Sequence, residues 1–105
     1  MRIQVLNEMP NLSRNQTGLP YTIWLDPAGD DREAGHNVPR LKINVDGDRV
    51  PVSITDNPKI LINRRVKMKS PEKVFNWILK NKKHILDYYS GRISQEELES
   101  RLIKL

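Results

Sequence analysis

A chain of 105 residues with 37% apolar and 30% charged side chains is long enough for one modest hydrophobic core and too short for two, which excludes both a disordered segment and a two-domain protein. No apolar run approaches the roughly 20 residues of a membrane span, and no leader pattern is evident, so a cytoplasmic protein without membrane contact is expected. The absence of cysteine excludes disulfides, thiolate zinc sites and cysteine nucleophiles.

Arg2 to Leu6 alternates Ile3 and Val5 with polar neighbours, as a short edge strand does. Met9 to Pro20 is rich in Asn, Ser, Gly and Pro and reads as extended or looped chain. Residues 21–25 form an aromatic and β-branched run, with Tyr21, Ile23 and Leu25 on one face and Thr22 and Trp24 on the other. The acidic stretch from Asp26 to Gly35 carries Asp30, Asp31 and Glu33 ahead of His36. It lacks the spacing of a calcium loop and reads as a solvated connection, not a metal site.

The most informative stretch is residues 40–54. Leu41, Ile43 and Val45 alternate with polar residues before Asp46-Gly47, and Val50, Val52 and Ile54 alternate after it. An Asp-Gly pair between alternating runs marks a hairpin with a type I′ turn, because that turn needs positive φ at both central residues. Placing Val45 opposite Asp48 sets Ile43 against Val50 and Leu41 against Val52. The apolar residues then share a core face, while Arg40, Lys42, Asn44, Arg49 and Ser53 share an outer, basic one.

Thr55 to Pro58 is a turn cluster, and residues 60–63 read as a fourth strand. Ser70-Pro71-Glu72 signals a helix start over 71–90, with Ser70 as cap, and Gly91 is its stop. Val74, Phe75, Ile78, Leu79, Ile85, Leu86 and Tyr89 fall on one helical stripe, and Lys82 projects into it, which calls for a snorkelling stem, a bend in the helix or an anionic partner. Trp77, Asn81, His84 and Tyr88 line the flank, where a partner is able to stack or hydrogen-bond. Ser94-Gln95-Glu96-Glu97 is a capping box for a second helix over 94–103, whose narrow apolar stripe either folds back on its own domain or serves a homodimer.

These elements predict a single α+β domain over residues 1–105: a small, mainly antiparallel sheet covered by one amphipathic helix, plus a short C-terminal helix. Ile23, Leu41, Ile43, Val45, Val50, Val52, Ile54, Val74, Ile78 and Leu86 are its expected core.

Met9-Pro10-Asn11-Leu12-Ser13-Arg14, the aromatic strand, His36-Asn37-Val38-Pro39-Arg40-Leu41-Lys42 and the stretch from Trp77 to Tyr89 together resemble the small bacterial and archaeal domain-of-unknown-function family 4160 over residues 9–90. Residues 91–105 add the capped C-terminal helix. The family shows a His-x-Pro-Pro-His-x-His segment; here His36 and Pro39 match it, but Arg40 and Lys42 stand where the second and third histidines fall. That departure puts a histidine-based metal or acid/base role in doubt, since Arg and Lys neither ligate metal nor exchange protons readily near neutral pH. The resemblance implies an accessory component of a toxin-antitoxin-like gene pair.

Residues 59–84 hold nine Lys and Arg against Glu72 alone, out of a net charge of +5 for the chain. Such a block attracts polyanions. The expected binding residues are Arg40, Lys42, Arg49, Arg64, Arg65, Lys67, Lys82 and Trp77, and the expected partner is a nucleic acid or an acidic protein. A metal-independent ribonuclease using His36 as general acid or base is the catalytic alternative. No Gly-rich phosphate loop, serine triad or paired-carboxylate motif is present, and no cofactor is expected, so the chain reads as a binding protein more than an enzyme.

Overall fold

The computed structural model describes residues 11–26, 38–62 and 66–105. The expected strand at Arg2 to Leu6, the acidic stretch around Asp30, Asp31 and Glu33, and the candidates His36, Arg64 and Arg65 lie outside these residues. The described elements are β1 (Asn11–Leu12), α1 (Arg14–Thr17), β2 (Ile23–Leu25), β3 (Arg40–Val45), β4 (Asp48–Ser53), α2 (Pro71–Tyr89) and α3 (Gln95–Arg101). The four strands form an antiparallel meander in the order β1-β2-β3-β4. The protein is therefore an α+β fold with a long and a short C-terminal helix. No helix among the described residues is long and apolar enough to cross a membrane.

The central hairpin has the expected register: Val45 pairs with Asp48, Ile43 with Val50 and Leu41 with Val52. Asp46 and Gly47 adopt φ of 51° and 87°, the two positive values that a type I′ turn requires. Leu41, Ile43, Val50 and Val52, with Ile23 and Leu25 of β2, are fully buried beside Val74, Trp77, Ile78 and Ile85 of α2. Each such side chain contributes about 1.5–3 kcal/mol by leaving water. Leu86, placed in the core from the sequence, is only partly buried against it.

Residues 60–62 do not form the expected fourth strand, and Asn63, the last residue of that run, lies outside the described residues. Ile60 makes an isolated bridge to Val52, and the remaining edge is the two-residue β1, paired with β2. Beside β4, the Ser53 N–H donates to the Lys59 carbonyl and the Leu61 N–H donates to the Pro51 carbonyl. The outward N–H of Ser53 shows that the missing N–H of Pro51, two residues earlier, also lies on this edge and leaves the β3 ladder intact. The segment before β2, expected to be looped, contains α1, a single turn with its own capping box between Ser13 and Gln16 and a left-handed stop at Gly18.

Helix α2 begins at Pro71, but Ser70 does not cap it: Ser70 is left-handed at φ 52°, and its side chain makes no cap bond. The helix ends as the sequence indicates. Gly91, at φ 83°, donates its N–H to the Tyr88 carbonyl and Arg92 donates to that of Asp87, a Schellman closure. The buried stripe is Val74, Trp77, Ile78, Asn81 and Ile85, which leaves Leu79 45% exposed. Trp77 and Asn81, expected on the flank, sit one turn apart in the middle of the buried stripe.

Asn81 is the hinge between α2 and the chain end. Its amide donates to the Trp77 and Ile103 carbonyls, both at 3.0 Å, and its side-chain oxygen accepts the Ile103 N–H at 2.7 Å. Further along, the Leu105 N–H donates to the Thr17 carbonyl, and a Cβ on Gly18 would come within 2.7 Å of the Leu105 carbonyl oxygen. Leu98 of α3 is fully buried in the chain's own core. Ile103 and Leu105, beyond α3, remain 46% and 39% exposed.

Replacing Asn81 with Ala is expected to lower stability by about 1–3 kcal/mol in chemical denaturation, since it leaves the part-buried N–H and carbonyl of Ile103 without their side-chain partner; Ile103 and Leu105 amides should then lose hydrogen-exchange protection. The capping box of α3 is formed as expected, with Glu97 N–H donating to Ser94 Oγ and Ser94 N–H to Glu97 Oε1. These bonds, chiefly the one from the Ser94 backbone, hold the Glu97 carboxyl below its ordinary range. Its contribution is complete above the unfolded value of about 4.3. It is lost as pH falls through the lower folded value, so an acid titration of α3 helicity should show a step that Glu97→Gln removes.

Candidate nucleic-acid interface

Strand alternation carries every second side chain of β2, β3 and β4 to the face turned away from α2. Trp24 stands opposite Lys42, Lys42 opposite Pro51, and Asn44 opposite Arg49. The Arg49 guanidinium reaches across β3 and lies 4.2 Å from the centre of the Trp24 ring, a cation–π contact at an exposed arginine. The indole N–H of Trp24 is shielded from water and has no hydrogen-bond partner among the described residues.

One residue beyond β2, Asp26 lies on this same face. A single carboxylate oxygen, Oδ2, is 3.4 Å from Arg40 Nη2 and 3.7 Å from Lys42 Nζ. Arg40 is therefore not the free outer cation expected from alternation. It does take the outer parity, but its side chain is 7% exposed, because a guanidinium so enclosed requires an anion and Asp26 supplies one. Lys42, at 27%, forms the open side of the same cluster. Ser53, also expected outside, is buried, and its hydroxyl accepts the Lys59 N–H.

The cluster is anchored from beneath by the last residue of α2. Tyr89 Oη accepts the Asp26 N–H at 2.8 Å and donates to the Arg40 carbonyl at 2.7 Å. One phenol thus holds the end of β2 to the start of β3. Burial, above all, raises the Tyr89 phenol well beyond its ordinary range.

The other sequence candidates do not gather at this face. Trp77 is completely buried in the core, so it offers no stacking surface; its place between Val74 and Ile78 on the helix accounts for this. Lys82 is half-buried, and its amine lies 3.1 Å from Asp56 Oδ1 at the sheet margin. Lys67 is exposed. Lys73, Lys80 and Lys83 are exposed on the side of α2 away from its buried stripe, where Lys83 faces Asp87 at 3.7 Å. The basic segment 59–84 is consequently spread over several surfaces. The residues that sequence reasoning passed over, Trp24 and Asp26, carried one signal: a tryptophan on the polar parity of a strand, two positions ahead of an acid.

Tyr89→Phe removes both ends of the bridge and is expected to cost about 1–2 kcal/mol. A phenol whose folded pKa is raised contributes fully below the unfolded value of about 10, and that contribution is lost as pH rises further. Denaturant titrations should accordingly show a fall in stability above about pH 10 that is smaller in the Phe variant. No family model matches the chain, no curated protein is significantly similar to it, and no solved structure matches its fold.

Proposed function

We propose that this protein is a small, non-catalytic nucleic-acid binding protein, acting within a toxin-antitoxin-like pair as its family resemblance implies, and that it meets its ligand with the outer face of β2–β4. The observation that carries the reading is the Arg49–Trp24 pair beside Lys42. A guanidinium spread on an indole supplies a planar cationic surface, and a neighbouring lysine supplies a second charge. Arginine planes and aromatic rings are the groups on which bases stack, while Lys and Arg neutralise phosphates.

The remaining cations act at longer range. Lys67, Lys73 and Lys80 raise the positive potential around the molecule and speed encounter with a polyanion, without an aromatic partner of their own. Lys82 is engaged with Asp56 and adds little at the outer face. His36, Arg64 and Arg65 have no part in this reading.

Binding of a labelled oligonucleotide should weaken steeply with salt, and Arg49→Ala should weaken it and flatten the dependence of log affinity on log salt by roughly 0.7–0.9. The Arg49 side chain is exposed and its loss removes one surface cation–π contact, so the variant should keep the stability of the parent to within about 1 kcal/mol. Binding that is indifferent to salt, or copurification with one acidic protein that survives nuclease, would overturn this reading in favour of a protein partner.

A further inference from the structure

The geometry points to a single strand as the ligand of this face, with a base against the Arg49–Trp24 pair and a phosphate taking the place that the Asp26 carboxylate occupies between Arg40 and Lys42. This inference rests on the nucleic-acid reading above and adds to it the form of the ligand and a built-in competitor for it.

The Asp26 carboxylate marks an anion position. One oxygen faces a guanidinium at 3.4 Å and an ammonium at 3.7 Å, both from β3. Charge-assisted N–H···O bonds close to about 2.7–2.9 Å, so these two contacts hold the carboxylate by attraction at a distance. A backbone phosphate spreads the same single charge over two non-bridging oxygens and, unlike the Asp26 carboxylate, is not tethered to β2, so it is able to turn one oxygen to each cation. It enters from Lys42, the more open of the pair.

The carboxylate is also free to leave without disturbing the strand. The Asp26 main chain is fixed by its N–H bond to Tyr89 Oη, and the facing Arg40 main chain by its carbonyl bond to the same oxygen. Among the described residues, displacement breaks these two long ionic contacts and needs a rotation of a side chain that is 13% exposed. The apparent affinity for a strand is then set by competition between an external phosphate and this tethered carboxylate.

Spacing and shape select the strand over the duplex. Trp24 and Asp26 are two residues apart on one side of extended chain, about 7 Å, a separation that a base and a neighbouring phosphate of one strand are able to bridge. Stacking on Arg49 requires the flat face of a base, which a duplex conceals and a single strand presents. The described elements of this face are strands lying in a sheet, with no helix placed to enter a groove.

The test is fluorescence anisotropy with a labelled oligouridylate of about twelve nucleotides, a length within the range that single-strand sites cover, compared with an RNA duplex of equal length. Wild-type protein should bind the strand roughly tenfold more tightly than the duplex, the discrimination that one stacked base supplies. Asp26→Asn should tighten strand binding several-fold and steepen its salt dependence, while leaving the duplex unchanged. Equal binding of strand and duplex, or a folded Asp26→Asn protein whose strand affinity is unchanged or weaker, overturns the inference and leaves the nucleic-acid reading standing. Should Asp26→Asn not fold, Lys42→Gln takes its place: several-fold weaker strand binding supports the phosphate position, and unchanged binding overturns it. Failure of the wild type to bind either probe at low salt removes the nucleic-acid reading itself.

Discussion

The register of the β3–β4 hairpin governs everything built on it. Two consecutive residues with positive φ, Asp46 and Gly47, fix which residues of the two strands face one another. Side chains alternate with a period of two, so a slip by one position would carry Leu41, Ile43, Val50 and Val52 into water and press Lys42 and Arg49 against α2. Burial of the apolar set and desolvation of the cations oppose that slip together. The same turn therefore specifies the core and, on the reverse side of the sheet, the surface on which Arg49 meets Trp24.

The outer surface departs from simple alternation through the depth at which its charges sit. Asp26 and Arg40 are neighbours across the open end of β2 and β3, and Tyr89 joins their main chains from below. Fixing the backbone in this way relieves the ion pair of any duty in holding the strands together. Among the described residues, one acid then faces two cations, at 3.4 and 3.7 Å. Arrangements of this kind keep cations oriented while leaving them responsive to a competing anion.

What the sequence disclosed follows the range of the interactions involved. The Asp46–Gly47 turn, the Ser94 capping box and the Gly91 stop are encoded within a few neighbouring residues, and each formed as read. Strand β1 has two residues and exists because Asn11 and Leu12 meet Trp24 and Ile23, a relation no local periodicity reveals. Helix α2 carries apolar residues around more than half its circumference, so Phe75, Leu79 and Leu86 compete with Trp77 and Asn81 for the interior. The outcome depends on the Asn81 bonds to Ile103, a residue in the tail beyond α3. Arg40 shows the same limit in electrostatic form: its parity was legible, but its enclosure depends on Asp26, which approaches it from another strand.

The treatment of the β4 margin bears on how the protein behaves when crowded. An open strand margin offers its unpaired amides as a template on which a second molecule can extend the sheet, and repetition of that event builds fibrils. Here Pro51 lacks one of those N–H groups, and the Lys59–Leu61 stretch takes up the Ser53 N–H and the Pro51 carbonyl. Resistance to lateral polymerisation is thus written into a proline and a short crossing of chain, independently of the positive charge that keeps copies apart.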